Sequence, residues 1–522
     1  MNAGAVTSAL LLCLLVGFGL VGASFEMLPH DVSYYLYVSR ELLAGALPYR
    51  DYIDPNLPTI IHLGVPVAVL SEATGVPIWT GYRVFVVAIE ALAVGLSAWL
   101  LRGWLLRDDD SLCWVVLAVL VTVLCLVPMG LVEVDSSHFG QREHLALLLI
   151  TPYVLWHSVR ASGGRLSSGA AWGVAAFAAV GIAIKPHFLL FWALIEGWSA
   201  WRERRDWPRV ALVPPIAFGL YIVLLLATLP EFPTLIGYTW QLYGAYKDRT
   251  LLEILRLAPV ALPLAVLVLH RLLPVSAESA ALRPLRSALG VATLAWWIIG
   301  FVQLRGFPYH FAPAVSLSIA LLLVSVVATR PGRRAIPLVY ALLVFLGFGS
   351  IEIAWRDRAS QDADLTQLFQ EDAADGAVLV LSTNVWPGFP AALYADKRWS
   401  SRFPALWFLP GLYEGVPPQE PFAYRLPEQM GAIERWHLAA VVEDFERQPP
   451  QLVLVDRNAF QPGFGQTNFD YLAYLSQDAR FRSLWCVYRK RARWEGEFVV
   501  YQRDPERAAR CAGIAGGPGS TG

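Results

Sequence analysis

The chain alternates long apolar runs with short polar connections. Runs near the length that crosses a bilayer as one helix, roughly 17 to 25 residues, occupy 4–23, 78–101, 112–130, 142–158, 209–229, 253–273, 287–303, 309–328 and 335–354. Two shorter runs, 169–184 and 187–200, meet at Lys185-Pro186 and read as a hairpin of two further spans or as a re-entrant pair. The hairpin brings the total to about eleven transmembrane helices. The run 59–71 is too short to cross and follows Pro55 and Pro58, so it is expected to lie along the interface. Beyond residue 354 the pattern becomes charged and Pro-rich. Strand-like runs fall at 377–382, 451–456, 482–489 and 497–502, with helical stretches near 429–447 and 468–477. The expected architecture is a polytopic α-helical membrane protein, residues 1–354, followed by a small α/β domain over 355–510. The Gly/Pro/Ser-rich end, 511–522, reads as a disordered tail.

Composition agrees with lipid as the main solvent. Of 522 residues, 56% are hydrophobic and only 16% charged, with mean hydropathy +0.48, against about 25% charged in an average soluble domain. A net charge of −1 offers no electrostatic case for nucleic acid. The cysteines, at 13, 113, 125, 486 and 511, form no metal-ligand spacing. Cys486 and Cys511 could pair on an oxidising side. With the N-terminus cytoplasmic, the inside connections carry fourteen basic residues and the longer outside connections eight, as the positive-inside bias requires. The outer loops are then 24–77, 130–141 and 230–252, and the C-terminal domain is extracytoplasmic. Val21-Gly22-Ala23 would suit a signal peptidase, but an uncleaved anchor is the preferred reading.

Four outer segments hold the polar residues worth asking about. The first carries Asp31, Tyr34, Tyr35, Arg50, Asp51 and Asp54. The second runs from Glu133 and Asp135 through His138 to Arg142, Glu143 and His144. The third includes Lys247, Asp248 and Arg249, and the fourth Arg305 and His310, with Lys185 in the hairpin between spans. On one face of a membrane they could line a single cavity. Transfer from a polyprenyl-phosphate sugar needs no acid for its good leaving group. It needs a base for the acceptor hydroxyl and cations for the departing phosphate. Asp31 or Asp135 could serve as base if partial burial raises its pKa above the usual value of about 3.9; Lys185, Lys247, Arg249 and Arg305 could meet the phosphate, the arginines bidentately.

Each assignment has a plainer competitor. Asp31 could cap a helix beginning near Val32, and Arg142-Glu143 reads first as a salt pair at a helix start. His138 and His144 read as structural rather than metal ligands, and snorkelling accounts for Arg305 and His310. Glu90, near the middle of the second span, is expected to pair with Arg83 seven residues earlier; a transporter's coupling site is the alternative.

Asp31 after the first span, the Tyr34-Tyr35 pair and the run Gly45-Ala46-Leu47-Pro48-Tyr49-Arg50-Asp51-Tyr52 resemble the C-type (GT-C) membrane glycosyltransferases. The nearest types are the bacterial protein O-mannosyltransferases and aminoarabinose transferases. The resemblance spans roughly residues 1–354 by architecture, with its sharp motif confined to about 30 residues. It implies an inverting glycosyltransferase with a polyprenyl-phosphate donor. The acceptor would be a glycan, lipid or protein. Asp31 would be the base and Asp135 or Glu133 the second acid. Lys247, Arg249, Arg305, Lys185 and His310 would face the donor phosphate. Tyr34, Tyr35, Arg50, Asp54, Arg142 and Glu143 would line the substrate. The commonest family version has Asp-Glu where this chain has His30-Asp31. No cofactor is firmly implied, though a divalent cation such as Mg or Mn could take part. A transporter or flippase of a lipid-linked sugar is the competing function.

Overall fold

The computed structural model describes residues 3–25, 28–106, 110–129, 138–203, 208–245, 249–303, 305–329, 336–358, 362–373, 376–416, 422–458, 461, 463–464, 469–494 and 498–507. Glu133, Asp135, Lys247, Asp248 and the tail 511–522 lie outside them. The chain divides into two compact units. One comprises residues 1–32, 56–227 and 249–360, the other 33–55, 228–248 and 361–522.

The first unit is helical throughout its apolar runs, and every one of the eleven expected segments is helix over most of its length. Among the described residues, five helices are long and apolar enough to cross a membrane: Ile78–Leu105, Ser111–Met129, Arg209–Thr228, Leu282–Val302 and Pro308–Ala328. The breaks have local causes. Gly75, at φ 72°, closes the helix Thr59–Thr74 in the left-handed conformation that glycine adopts without a Cβ penalty. Pro77 then precedes Ile78–Leu100. That helix widens into a π-helical turn, Leu101–Leu105. The expected run 253–273 is interrupted at Leu257, extended at ψ 135° ahead of Ala258-Pro259. It therefore forms a short helix, Leu251–Arg256, and a longer one, Ala258–Leu272.

In the second unit a four-stranded sheet has the order β1-β2-β4-β3, where β1 is Val378–Leu381, β2 Leu452–Asp456, β3 Tyr488–Trp494 and β4 Phe498–Arg503. β1 and β2 are parallel, with Val378 opposite Leu452. Both are buried along their whole length, as a parallel pair covered on both faces requires. β4 runs antiparallel to β2 and β3. The first half of the strand expected at 482–489 is instead helix, Ala479–Trp485, and the strand begins only at Tyr488. Asp478 caps the helix by accepting the Arg480 N–H at 2.7 Å, and Phe481 and Trp485, four apart, stack at 5.5 Å on one face. Cys486 is disulfide-bonded; Cys511 is outside the described residues.

The remote segments 33–55 and 228–248 are fastened into this unit. Arg40 pairs with Asp396 at 2.6 Å, the Ile53 N–H donates to the Arg402 carbonyl at 2.7 Å, and the Tyr37 hydroxyl accepts the Trp399 N–H at 2.9 Å. Tyr49 packs on Phe232 and Tyr238 on Trp436. Gly411 permits the chain near Leu242 to pass: a Cβ there would lie 2.4 Å from the Leu242 carbonyl oxygen.

Candidate active site

Asp31 lies in the first turn of the helix His30–Leu43, where the helix dipole favours a carboxylate. Arg142 and Glu143 lie in the first turn of Arg142–Ala161. The turn before that helix, His138-Phe139-Gly140-Gln141, is held from three sides. The His138 N–H donates to the Pro128 carbonyl at 3.0 Å, and the Tyr82 hydroxyl to the Gly140 carbonyl at 2.6 Å. The Gly140 N–H donates to His144 Nδ1 at 3.0 Å. With Nδ1 accepting, Nε2 carries the proton, and it donates to the Leu124 carbonyl at 2.9 Å. His144 is thus a neutral structural clamp. Gly140, at φ 69°, is required twice over, since a Cβ would also lie 2.7 Å from the Tyr82 ring.

This turn sets Arg142 against Asp31. Its Nη2 donates to Oδ2 of Asp31 at 2.6 Å, with 4% of the Arg142 side chain and 15% of that of Asp31 exposed. Oδ1 of Asp31 is 3.7 Å from His30 Nε2. Lys185, extended between the helices Ser168–Ala183 and Leu189–Glu203, donates to Oε1 of Glu143 at 2.5 Å. It also lies 5.7 Å from the centre of the Tyr309 ring. Arg142 and Glu143 are therefore not a pair with each other, as the sequence suggested; adjacent on one helical turn, each reaches a partner far away in the chain. Glu90 is likewise corrected: its carboxylate oxygen faces His144 Nε2 at 3.7 Å, an approach made possible by helix packing and invisible in a seven-residue spacing.

The other basic candidates converge in part. Arg305 is buried, and His310 sits in the field of Lys185, His187, Arg142 and Arg305. Arg249 Nη1 donates to the Gly306 carbonyl at 2.7 Å, which ties the third segment to the fourth. Tyr34, Tyr35, Arg50 and Asp54 belong to the second unit. Tyr34 and Tyr35 are buried there, Tyr34 against Phe389 at 5.4 Å. Arg50 pairs with Asp51 at 3.1 Å, and Asp54 acts electrostatically on Tyr34. Tyr82 and His187, which carried no signal in the sequence, join the site through packing alone.

Charge sets the protonation states. Burial pushes the Asp31 carboxyl up, but Arg142, His30 and Lys185 together outweigh it and hold its pKa below the usual carboxylate value. The rise in pKa expected of a buried base is thus reversed by these cations, and Asp31 is ionised at neutral pH. Burial, reinforced by Arg142, brings the Lys185 ammonium down to about 8 against the pull of Glu143 and Asp31. His138 is lowered to about 3 by burial and by neighbouring His30 and His144, so it is neutral. Arg142 and Lys185 thus hold the two carboxylates, and together with Arg305 they act electrostatically on His310. Two buried atoms beside them, Glu143 Oε2 and His310 Nδ1, have no hydrogen-bond partner among the described residues. Among those residues no group of three or more His, Cys, Asp or Glu could hold a metal ion.

The fold as a whole is similar to that of a solved structure. ArnT from Cupriavidus metallidurans, solved in the apo state, superposes with a TM-score of 0.58 at 14% identity, covering 97% of this chain and 99% of its own. Looser likenesses join it. One is the archaeal oligosaccharyltransferase AglB from Archaeoglobus fulgidus with an inhibitory peptide and a dolichol-phosphate (TM-score 0.42, 12% identity, 95% of this chain and 74% of that one). Another is the oligosaccharyltransferase of the same organism with Zn and sulfate (TM-score 0.41, 12% identity, 94% and 73%). No protein-family model matches the sequence, and no curated protein matches it.

Proposed function

We propose that the protein is an integral-membrane glycosyltransferase that moves a sugar from a polyprenyl-phosphate donor to an acceptor hydroxyl, with inversion, at the extracytoplasmic face of the inner or plasma membrane. The observation that carries this reading is the buried Asp31–Arg142 and Glu143–Lys185 cluster within a GT-C fold. Burying four charges is expensive even when they are paired, and hydrophobic replacements would serve a purely structural purpose as well.

The chemistry follows from the protonation states. The acceptor oxygen attacks the anomeric carbon as the bond from that carbon to the phosphate oxygen breaks, its electron pair leaving with the polyprenyl phosphate. The hydroxyl proton passes to Asp31. Arg142 engages Oδ2, so Oδ1 is the oxygen placed to take it. An ionised carboxylate of low basicity is adequate, because the hydroxyl proton becomes acidic only as the glycosidic bond forms. Arg142, Lys185 and Arg305 supply fixed positive charge for the phosphate, joined by Arg249 where it meets the Gly306 backbone. Lys247, Asp135 and Glu133 keep their proposed phosphate and second-acid roles. A divalent cation would need ligands from those last two acids beside Asp31.

Purified protein, offered a panel of polyprenyl-phosphate sugars, is expected to make glycoside. Asp31→Asn should lower kcat by about a hundredfold or more, the usual share of a general base. Wild-type turnover in that variant would remove Asp31 from the base role. Movement of a lipid-linked sugar across vesicles without any glycosidic product would favour a flippase instead.

A further inference from the structure

A cavity lies far from the Asp31–Arg142 pair, at the other end of the helix that carries Tyr82. From Tyr82, which holds the Gly140 turn, to Arg102 is twenty residues, about 30 Å along a helix at 1.5 Å per residue. That distance is close to the thickness of a bilayer's hydrocarbon core. Arg102 therefore marks the opposite membrane boundary, and Trp99, Trp104 and Trp114 surround it, the residue type that gathers at headgroup level.

At this boundary the helix opens. The π-helical turn Leu101–Leu105 adds a residue to the turn and displaces it from regular packing. Gly103 has open space where a side chain would stand. The result is a cavity of about 380 Å³ between this turn and the helix Asp110–Val121, lined by Trp99, Arg102, Gly103, Cys113, Trp114 and Leu117. Its wall is apolar except for Arg102, whose guanidinium rests 5.8 Å from the centre of the Trp114 ring.

We propose that this cavity is a specific site for one chain of an anionic membrane phospholipid, with the lipid phosphate on Arg102. Hydrophobic transfer does not drive the binding, since a lipid tail is equally apolar in the bilayer. Two other terms do. Filling the void restores dispersion contacts its lining lacks, and a guanidinium that stacks on an indole can still bond a phosphate in its own plane. The first term accepts any tail; the second selects the headgroup. Preference for anionic lipid is therefore the signature of the site.

Cys113, in the cavity wall and outside any disulfide, reports occupancy. The protein is placed in nanodiscs of phosphatidylcholine, with and without added phosphatidylglycerol, and the rate of N-ethylmaleimide addition to Cys113 is read by peptide mass spectrometry. Cys125 serves as an internal control. Phosphatidylglycerol is expected to slow Cys113 labelling at least fivefold while leaving Cys125 unchanged, and Arg102→Gln should abolish that difference. Leu117→Trp, which fills the cavity, should slow labelling in either lipid. Equal labelling with and without phosphatidylglycerol, or an undiminished headgroup effect in Arg102→Gln, overturns the proposal. So does protection by polyprenyl phosphate where phosphatidylglycerol gives none. None of these readouts involves sugar transfer, so their failure is distinct from failure of the proposed activity.

Discussion

At the residue scale, the site is governed by the exchange of partners between neighbours. Arg142 and Glu143 each reach across to another segment, to Asp31 and Lys185, and the protonation of Lys185 follows from burial against those charges. This gives activity and stability opposite pH dependences. With its pKa near 8 in the folded chain and about 10.4 when unfolded, Lys185 loses its proton first in the folded state. Above pH 8 the phosphate loses a cation, so turnover should fall through about pH 8. Between there and about pH 10 the unfolded chain binds more protons, so the Lys185 contribution to stability rises with pH. A pH profile of kcat beside thermal unfolding in the same buffers checks both. A flat activity profile through pH 9 would detach Lys185 from the phosphate. Lys185→Arg, charged throughout, should shift the falling limb upward.

Residue types and locations carried part of this site in the sequence. Asp31 could be singled out because a carboxylate just past a span is unusual, and Arg142, Glu143, Lys185, Arg305 and His310 because outer loops collect them. Their pairing could not be read. Asp31 and Arg142 are 111 positions apart and Lys185 and Glu143 are 42 apart, and nothing in local spacing encodes such contacts.

At the element scale, the turn 138–141 transmits helix packing to the site. Tyr82 from the helix Ile78–Leu100, His144 from Arg142–Ala161 and Pro128 from the segment before the turn define its backbone, and that backbone aims Arg142. Gly140→Ala must adopt φ 69° and displace the Tyr82 ring as well. It is expected to lose about 1–3 kcal/mol of stability and to lose activity out of proportion to that, measured by unfolding in detergent and by kcat on the same preparation. Tyr82→Phe, which removes one hydrogen bond, should lose about 1 kcal/mol. If Gly140→Ala keeps wild-type turnover, the turn does not position Arg142. The sequence showed a Gly in a polar loop; only the structure showed the ring it must avoid. The helix Ala479–Trp485 makes the complementary point. Its apolar residues read as a strand until the Asp478 cap is recognised.

At the scale of the whole molecule, the composition of the second unit constrains topology. Residues 33–55, 228–248 and 361–522 form one compact body, tied by the Arg40–Asp396 pair and the Tyr238–Trp436 contact, so all three must lie on the same side of the membrane. An even number of crossings must then separate them. The expected arrangement, six spans between 55 and 228 and four between 248 and 361, would satisfy this only if Thr59–Thr74 does not cross. Sidedness reporters inserted near Arg50, near Glu231 and at the C-terminus are expected to read alike, and opposite to one near Arg165. A reporter near Glu231 on the side of Arg165 would break the eleven-span arrangement.

The amino-acid order by itself determined that lipid solvates most of this chain, where most of its long apolar helices fall, and that acids and bases gather in particular loops. Those properties depend on composition and on spacing over a few turns, which local physics reads directly. Which acid meets which base, how far burial moves their protons, and that a loop near the N-terminus packs into the C-terminal unit were decided by the tertiary structure. Such contacts join residues tens to hundreds of positions apart, and their energies exist only once the intervening helices have packed.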